Sequence, residues 1–223
     1  PHYGERWARP WLDLCHYADS DGYLTDQPRP VAWRYRAWLV EALNADLPFD
    51  QFTAQQLAGD LLPASGTEER NRQLIATGFL MVAPKMLTER NKPKMHLDIA
   101  DEQVDTIGRG ILGLTLGCAR CHDHKYDPIS ARDYYQFRAI LEPHQIRTDA
   151  LPGESDLNKN GLPRVFDMHP DAPTYVHVRG NEKQRDISEK MHPAPPAFLR
   201  HVPFKITPVI LPPTAYRPEI QTH

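Results

Sequence analysis

Two cysteines three residues apart, with a histidine directly behind the second, stand near the middle of the chain as Cys118-Ala119-Arg120-Cys121-His122. Two thiols at this spacing lie on one turn and reach the two vinyl groups of a single porphyrin. The next side chain then falls over the iron, where imidazole supplies a strong axial nitrogen. The run therefore predicts one covalent haem c on Cys118 and Cys121, with His122 ligating the iron. Three other chemistries compete. A structural zinc site needs four ligands, commonly from two separated pairs, and there is no second Cys pair. A thioredoxin-like redox pair opens a helix after a strand, whereas this pair follows a long helical pattern. Two unrelated structural cysteines would leave the five-residue pattern unexplained. Cys15, the remaining cysteine, is expected as a small buried hydrophobe on a helix.

Residues around the motif take roles from their reach. His124 is too close to His122 for the chain to wrap round a porphyrin edge, so it is assigned to hydrogen bonding near the haem. Arg120 and Lys125 are candidates for neutralising propionates, with a solvated surface charge as the plain alternative. Tyr126, Trp7 and Trp11 are expected to pack against haem or core. The opposite face of the iron holds a protein ligand, water or nothing. His144, His16, His96, Met95 and Met86 are the candidates, and His144 is preferred because it follows the helix after the attachment site and can fold back. Asp98, Asp101, Glu102 and Asp105 lack the Gly-containing loop of a dedicated calcium site and read as a solvated helix face.

The elements that must position these groups are mainly helical. Trp7, Trp11, Leu14, Cys15 and Ala18 recur at steps of three and four, predicting an amphipathic helix over 4–18. A second runs from about Pro30, as a first-turn proline, over Tyr35, Trp38, Leu39, Ala42 and Leu43. A third, short one begins near Asp50 and buries Phe52 and Leu57. Ser65 with Glu68 predicts a capping box opening a fourth helix, to about Gly78. Lys85 to Lys94 reads as turn, and Ile99, Ala100, Val104, Ile107, Ile111 and Leu114 form a long helical stripe leading to Cys118. Asp127-Pro128 breaks the chain, and Ser130 with Asp133 opens a last helix to about Leu141.

Beyond Glu142 the helical periodicity stops and more than half of the 22 prolines follow. We place a boundary at 143–150, giving a helical haem domain over 1–145 and a proline-rich, partly β extension over 146–223. Residues 174–178 and 204–211 are β-rich, with Pro208 confining the second to an edge. The rest is expected as extended chain lying over the helices.

Composition narrows the function classes. A net charge of −3 leaves no basic footprint, which argues against nucleic acid as a partner. No apolar run is long enough to span a bilayer. The first residues are not a signal peptide and there is no initiator Met, so any export signal is expected to have preceded Pro1.

Longer stretches carry a resemblance. Residues 4–9 (Gly-Glu-Arg-Trp-Ala-Arg), 17–23 (Tyr-Ala-Asp-Ser-Asp-Gly-Tyr), 56–63 (Gln-Leu-Ala-Gly-Asp-Leu-Leu-Pro) and 113–125 (Gly-Leu-Thr-Leu-Gly-Cys-Ala-Arg-Cys-His-Asp-His-Lys) resemble the planctomycete-type cytochrome c family over about 2–141. The resemblance implies a large exported parent protein of poorly defined function, with the tail as the linker that follows the domain in one branch. Arg is common in that family where His16 stands here, which weighs against a shared role for His16.

The expectation is a mainly α multi-helix monohaem cytochrome c domain, non-catalytic, passing electrons by an outer-sphere route to a redox partner protein. Covalent haem attachment places it in the periplasm or outside the cell. Two alternatives stand beside this: a peroxidase-like enzyme with an open distal face, and a haem-stabilised binding or assembly module that self-associates through the extension.

Overall fold

The computed structural model describes residues 2–22, 26–168 and 171–202. The β-rich run at 204–211 lies outside them. The described residues are about half helical, with two two-stranded sheets in the C-terminal part. They form two compact units: 1–89 with 146–165, and 90–145 with 166 onward. The chain passes between the units at 89–90, 145–146 and 165–166.

In the first unit, α1 (His2–Leu14), α2 (Ala32–Asn44), α3 (Phe49–Ala58) and α4 (Thr67–Ala76) pack together. The buried face of α1 is not the expected one. Gly4 and Ala8 are buried and Cys15 is fully buried, while Trp7 and Leu14 are exposed, Trp7 at 54%. The small residues face α2 because the backbones meet there: a Cβ on Gly4 would lie 2.3 Å from the Val40 carbonyl oxygen. Helix propensity favours alanine over glycine by about 1 kcal/mol, whereas overpacking costs about 1–3 kcal/mol, so the contact should win. Gly4→Ala is accordingly expected to lower the urea midpoint; a raised midpoint would refute this account of the α1–α2 contact.

Trp11 packs as expected, edge-on to Phe52 and near Phe79. Its indole N–H is shared between Tyr35 Oη and Gln56 Oε1, both at 3.0 Å. Gln56 also accepts from the Tyr35 hydroxyl at 2.6 Å, and its amide donates to the Phe52 carbonyl. This satisfied polar knot explains why Gln56 of α3 is buried while Leu57, expected inside, is 37% exposed. Helix α2 begins at Ala32, two residues after Pro30, and buries Tyr35, Trp38, Leu39 and Ala42. Helix α4 is capped one residue later than expected. Gly66 is the N-cap, so the third helical residue is Glu69 rather than Glu68, and its carboxylate accepts from both the amide and the hydroxyl of Ser65.

The extension contributes to this unit. Leu151 and Leu162 join Leu74 and Ile75 in a small apolar cluster. Arg34 holds Glu154 through two bonds of 3.0 and 3.1 Å, and Arg164 sits between Asp60 and Asp149. Instead of plain extended chain, the segment forms β1 (His144–Asp149), a short helix α7 (Leu157–Asn160) and β2 (Leu162–Asp167), with β1 and β2 paired.

The second unit is built on α5 (Lys92–Ile107) and α6 (Ala131–Arg138). Helix α5 starts seven residues before the expected Ile99, where Asn91 caps the Lys94 amide and Pro93 occupies the first turn. It ends in a π turn over Gly108–Leu112, a departure often found beside functional sites. The capping box of Ser130 and Asp133 opens α6 as the sequence predicts. Strands β3 (Thr174–His177) and β4 (Arg185–Met191) pair antiparallel, His177 opposite Arg185, and pack on α6. No helix among the described residues is long and apolar enough to cross a membrane.

Candidate functional site

The motif occupies a 310 turn, Leu116–Arg120, with Cys121 as its C-cap. A 310 helix has about three residues per turn, so side chains three apart eclipse. Leu116 and Ala119 are buried, at 1% and 0% exposure, and fix the inward face of the turn. Cys118 and Cys121, also three apart, are both exposed with free thiols. Apolar anchoring of one pair thus presents the other pair outward.

His122 is exposed, and its Nδ1 lies 2.7 Å from the Asp123 carbonyl oxygen. That oxygen only accepts, so Nδ1 carries the proton and the lone pair of the neutral ring is at Nε2. A backbone carbonyl on one ring nitrogen is a usual way of orienting a metal-ligating imidazole. The Asp123 carboxylate accepts from the Ala131 amide at 2.8 Å and ties the loop to the start of α6. His124 does a different task. Its Nδ1 accepts from the amides of Tyr126 and Asp127, and its Nε2 donates to Thr115 Oγ1 at 3.0 Å. The ring closes the loop across 115–127 with both nitrogens used. Lys125 is exposed and lies over the Tyr126 ring, itself 82% exposed.

Arg120 is engaged within the protein rather than extended as a free surface charge. Its guanidinium pairs with Asp101 at 2.9 Å and approaches Glu182 at 4.0 Å. The same Asp101 pairs with Arg138 at 3.1 Å and accepts from the Tyr134 hydroxyl, and Arg138 also pairs with Glu142 at 2.9 Å. Arg138 is fully buried and the Asp101 side chain is 10% exposed. The acidic face of α5 is therefore not simply solvated as expected: Asp98 pairs with Lys94 and Asp105 with Arg109 along the helix, but Asp101 is the centre of a buried ion cluster.

His144 is not brought to this cluster's side of α5. Its Nδ1 lies 3.2 Å from Gln103 Oε1, and its Nε2 lies 3.5 Å from Asp167. Gln103 is two residues from Asp101, hence roughly 200° round the helix. Burial pushes the His144 ring down to about 4. His96 contacts the Gln145 amide at 3.2 Å, and Met95 lies beside Lys92. His16 and Met86, both exposed, belong to the first unit.

Sequence reasoning missed what the extension brings. The Tyr135 hydroxyl of α6 donates to the Arg120 carbonyl at 3.0 Å, with the His177 carbonyl at 3.5 Å. The His177 ring packs on Tyr135 and is 3% exposed. Gly180, in the corner after β3, lies against Cys121. The local signal in the sequence is the β-rich run 174–178, with Gly180-Asn181 following it as turn residues.

The donor set fits a covalent haem: two free, exposed sulfurs on one face of a turn, followed by an imidazole with its Nε2 lone pair available. Among the described residues no group of three or more His, Cys, Asp or Glu is arranged to hold a metal ion on its own. A family model named PSCyt2 and described as a protein of unknown function (DUF1549) matches residues 1–146. No curated protein and no solved structure matches the chain.

Proposed function

The chain belongs to the PSCyt2 family, and from that footing we propose that it is a c-type cytochrome carrying one haem, bonded through Cys118 and Cys121 and ligated by His122. The observation that carries this reading is the pairing of two outward thiols with an adjacent imidazole whose Nδ1 is held by the Asp123 carbonyl. Haem, when bound, supplies one-electron redox chemistry, and the reading assigns the protein outer-sphere electron transfer with a redox partner protein. Cys118 and Cys121 anchor, His122 ligates, and Asp123 and His124 hold the loop that aims the imidazole. Leu116 and Ala119 keep the turn seated on the core. His144, with its Nδ1 at Gln103 and its Nε2 beside Asp167, is left out of the proposed ligand set. Attachment by thioether places the working protein in the periplasm or outside the cell.

The decisive test is the intact mass of the chain after export in a host that matures c-type cytochromes, with the spectrum of the pyridine-treated denatured protein. The expected mass is polypeptide plus one haem, and Cys118→Ser with Cys121→Ser should abolish the covalent adduct. A bare polypeptide mass, or zinc bound between the sulfurs, would sink the reading.

A further inference from the structure

We propose that the corner Val178–Arg179–Gly180 positions the Cys121 sulfur for thioether formation, which makes the C-terminal extension part of the cofactor site although it lies beyond residues 1–146. The inference rests on the haem reading. It starts from a contact: a Cβ on Gly180 would lie 2.5 Å from Cys121 Sγ and 3.6 Å from Arg120 Cγ. Only a residue without a side chain lets the backbone approach the sulfur this closely.

The corner is held in place from several directions. Arg179 has φ 53° and Gly180 φ 73°, two successive left-handed residues. Arg179, which carries a side chain, is strained there, and such strain persists where the surroundings over-determine the backbone. Backbone bonds from Val178 to Gln184 and from Asn181 to Val178 close the loop on itself. Against the motif, Arg120 Nη2 reaches the Gly180 carbonyl at 3.4 Å, and the Tyr135 hydroxyl joins the carbonyls of Arg120 and His177. The main chain around Cys121 is thereby clamped between α6 and the corner. One side of the sulfur is backed by Gly180 and the other remains open, since Cys121 as a residue is exposed.

A sulfur limited in this way is aimed. In thioether formation the Cys121 S–H bond breaks and a C–S bond forms at one vinyl carbon. The hydrogen passes to the other carbon, so the addition balances without an oxidant or reductant. Cys118 has no contact of this kind with Gly180, and the two sulfurs are set apart by the fold rather than by the motif.

The test compares Gly180→Ala with Gly113→Ala. Gly113 has φ 66° and nothing within 4 Å of its Cβ position, so its alanine variant carries the same left-handed penalty without touching the sulfur. In exported protein, peptide mapping should show thioether occupancy at Cys121 falling about tenfold relative to Cys118 in Gly180→Ala, a factor equivalent to about 1.4 kcal/mol. Gly113→Ala should leave the ratio unchanged. In haem-free protein, alkylation of Cys121 relative to Cys118 should change in Gly180→Ala and not in Gly113→Ala. Tyr135→Phe, which removes the hydroxyl bridge without adding bulk, should also shift the alkylation ratio and covers the case in which Gly180→Ala does not fold. A haem-bearing wild type with the same ratios in Gly180→Ala, or unchanged alkylation in Tyr135→Phe, overturns the corner's role alone. A wild type without haem overturns the cytochrome reading and this role together.

Discussion

Asp101→Ala is expected to remove about 3–5 kcal/mol of stability, the loss typical of breaking one partner out of a buried ion cluster. Asp101 faces Arg120 and Arg138 and accepts the Tyr134 hydroxyl. Its removal leaves the fully buried Arg138 with Glu142 as its acidic partner among the described residues, and burial already raises the Glu142 carboxyl. The substitution also frees Arg120, next to Cys121, from its closest counter-charge. Asp101→Asn should lose less, because an amide oxygen still accepts from Tyr134. Urea unfolding followed by the far-ultraviolet signal measures both. A loss below about 1 kcal/mol for Asp101→Ala, the range of exposed pairs, would show that the cluster is effectively solvated.

Acidification should destabilise the second unit through His177. Burial, followed by the nearby charges of Arg138, Arg185 and Arg120, pushes this ring down to about 4 from its ordinary 6.5. Its Nδ1 is buried without a partner to stabilise a proton. The unfolded chain therefore binds the proton between pH 6.5 and 4 while the folded chain does not. Stability is fully present above pH 6.5 and falls as pH drops toward 4, by about 3 kcal/mol in all. In His177→Gln this part of the pH dependence should vanish, leaving the His144 and carboxylate titrations common to both proteins. Parallel stability profiles for the two proteins from pH 6.5 to 4 would refute it.

Signals whose partners are close in sequence carry through to the structure. Ser130 and Asp133 cap α6 because both partners lie within four residues, and the α2 stripe buries Tyr35, Trp38, Leu39 and Ala42, with Leu43 half-buried at its end. In α1 the spacing of the largest apolar residues does not mark the inward face. Trp7 is outside because the inward face of α1 is taken by Gly4 and Ala8, and the α2 backbone comes too close at Gly4 for bulk to fit. Glu69 replaced Glu68 at the α4 cap because a one-residue change in helix start changes which carboxylate reaches back.

The chemistry available at the site is already written in the order of residues: two sulfurs at one-turn spacing, and an imidazole immediately after them. Covalent order along the chain sets those distances, and no folding is needed to state them. It takes the folded chain to show which side of the turn is open, that Asp101 pairs with Arg120 and Arg138, that His144 turns to Gln103, and that Gly180 meets Cys121. Those are pairings between residues far apart along the chain, and burial selects them by demanding a partner for each charge and space for each side chain.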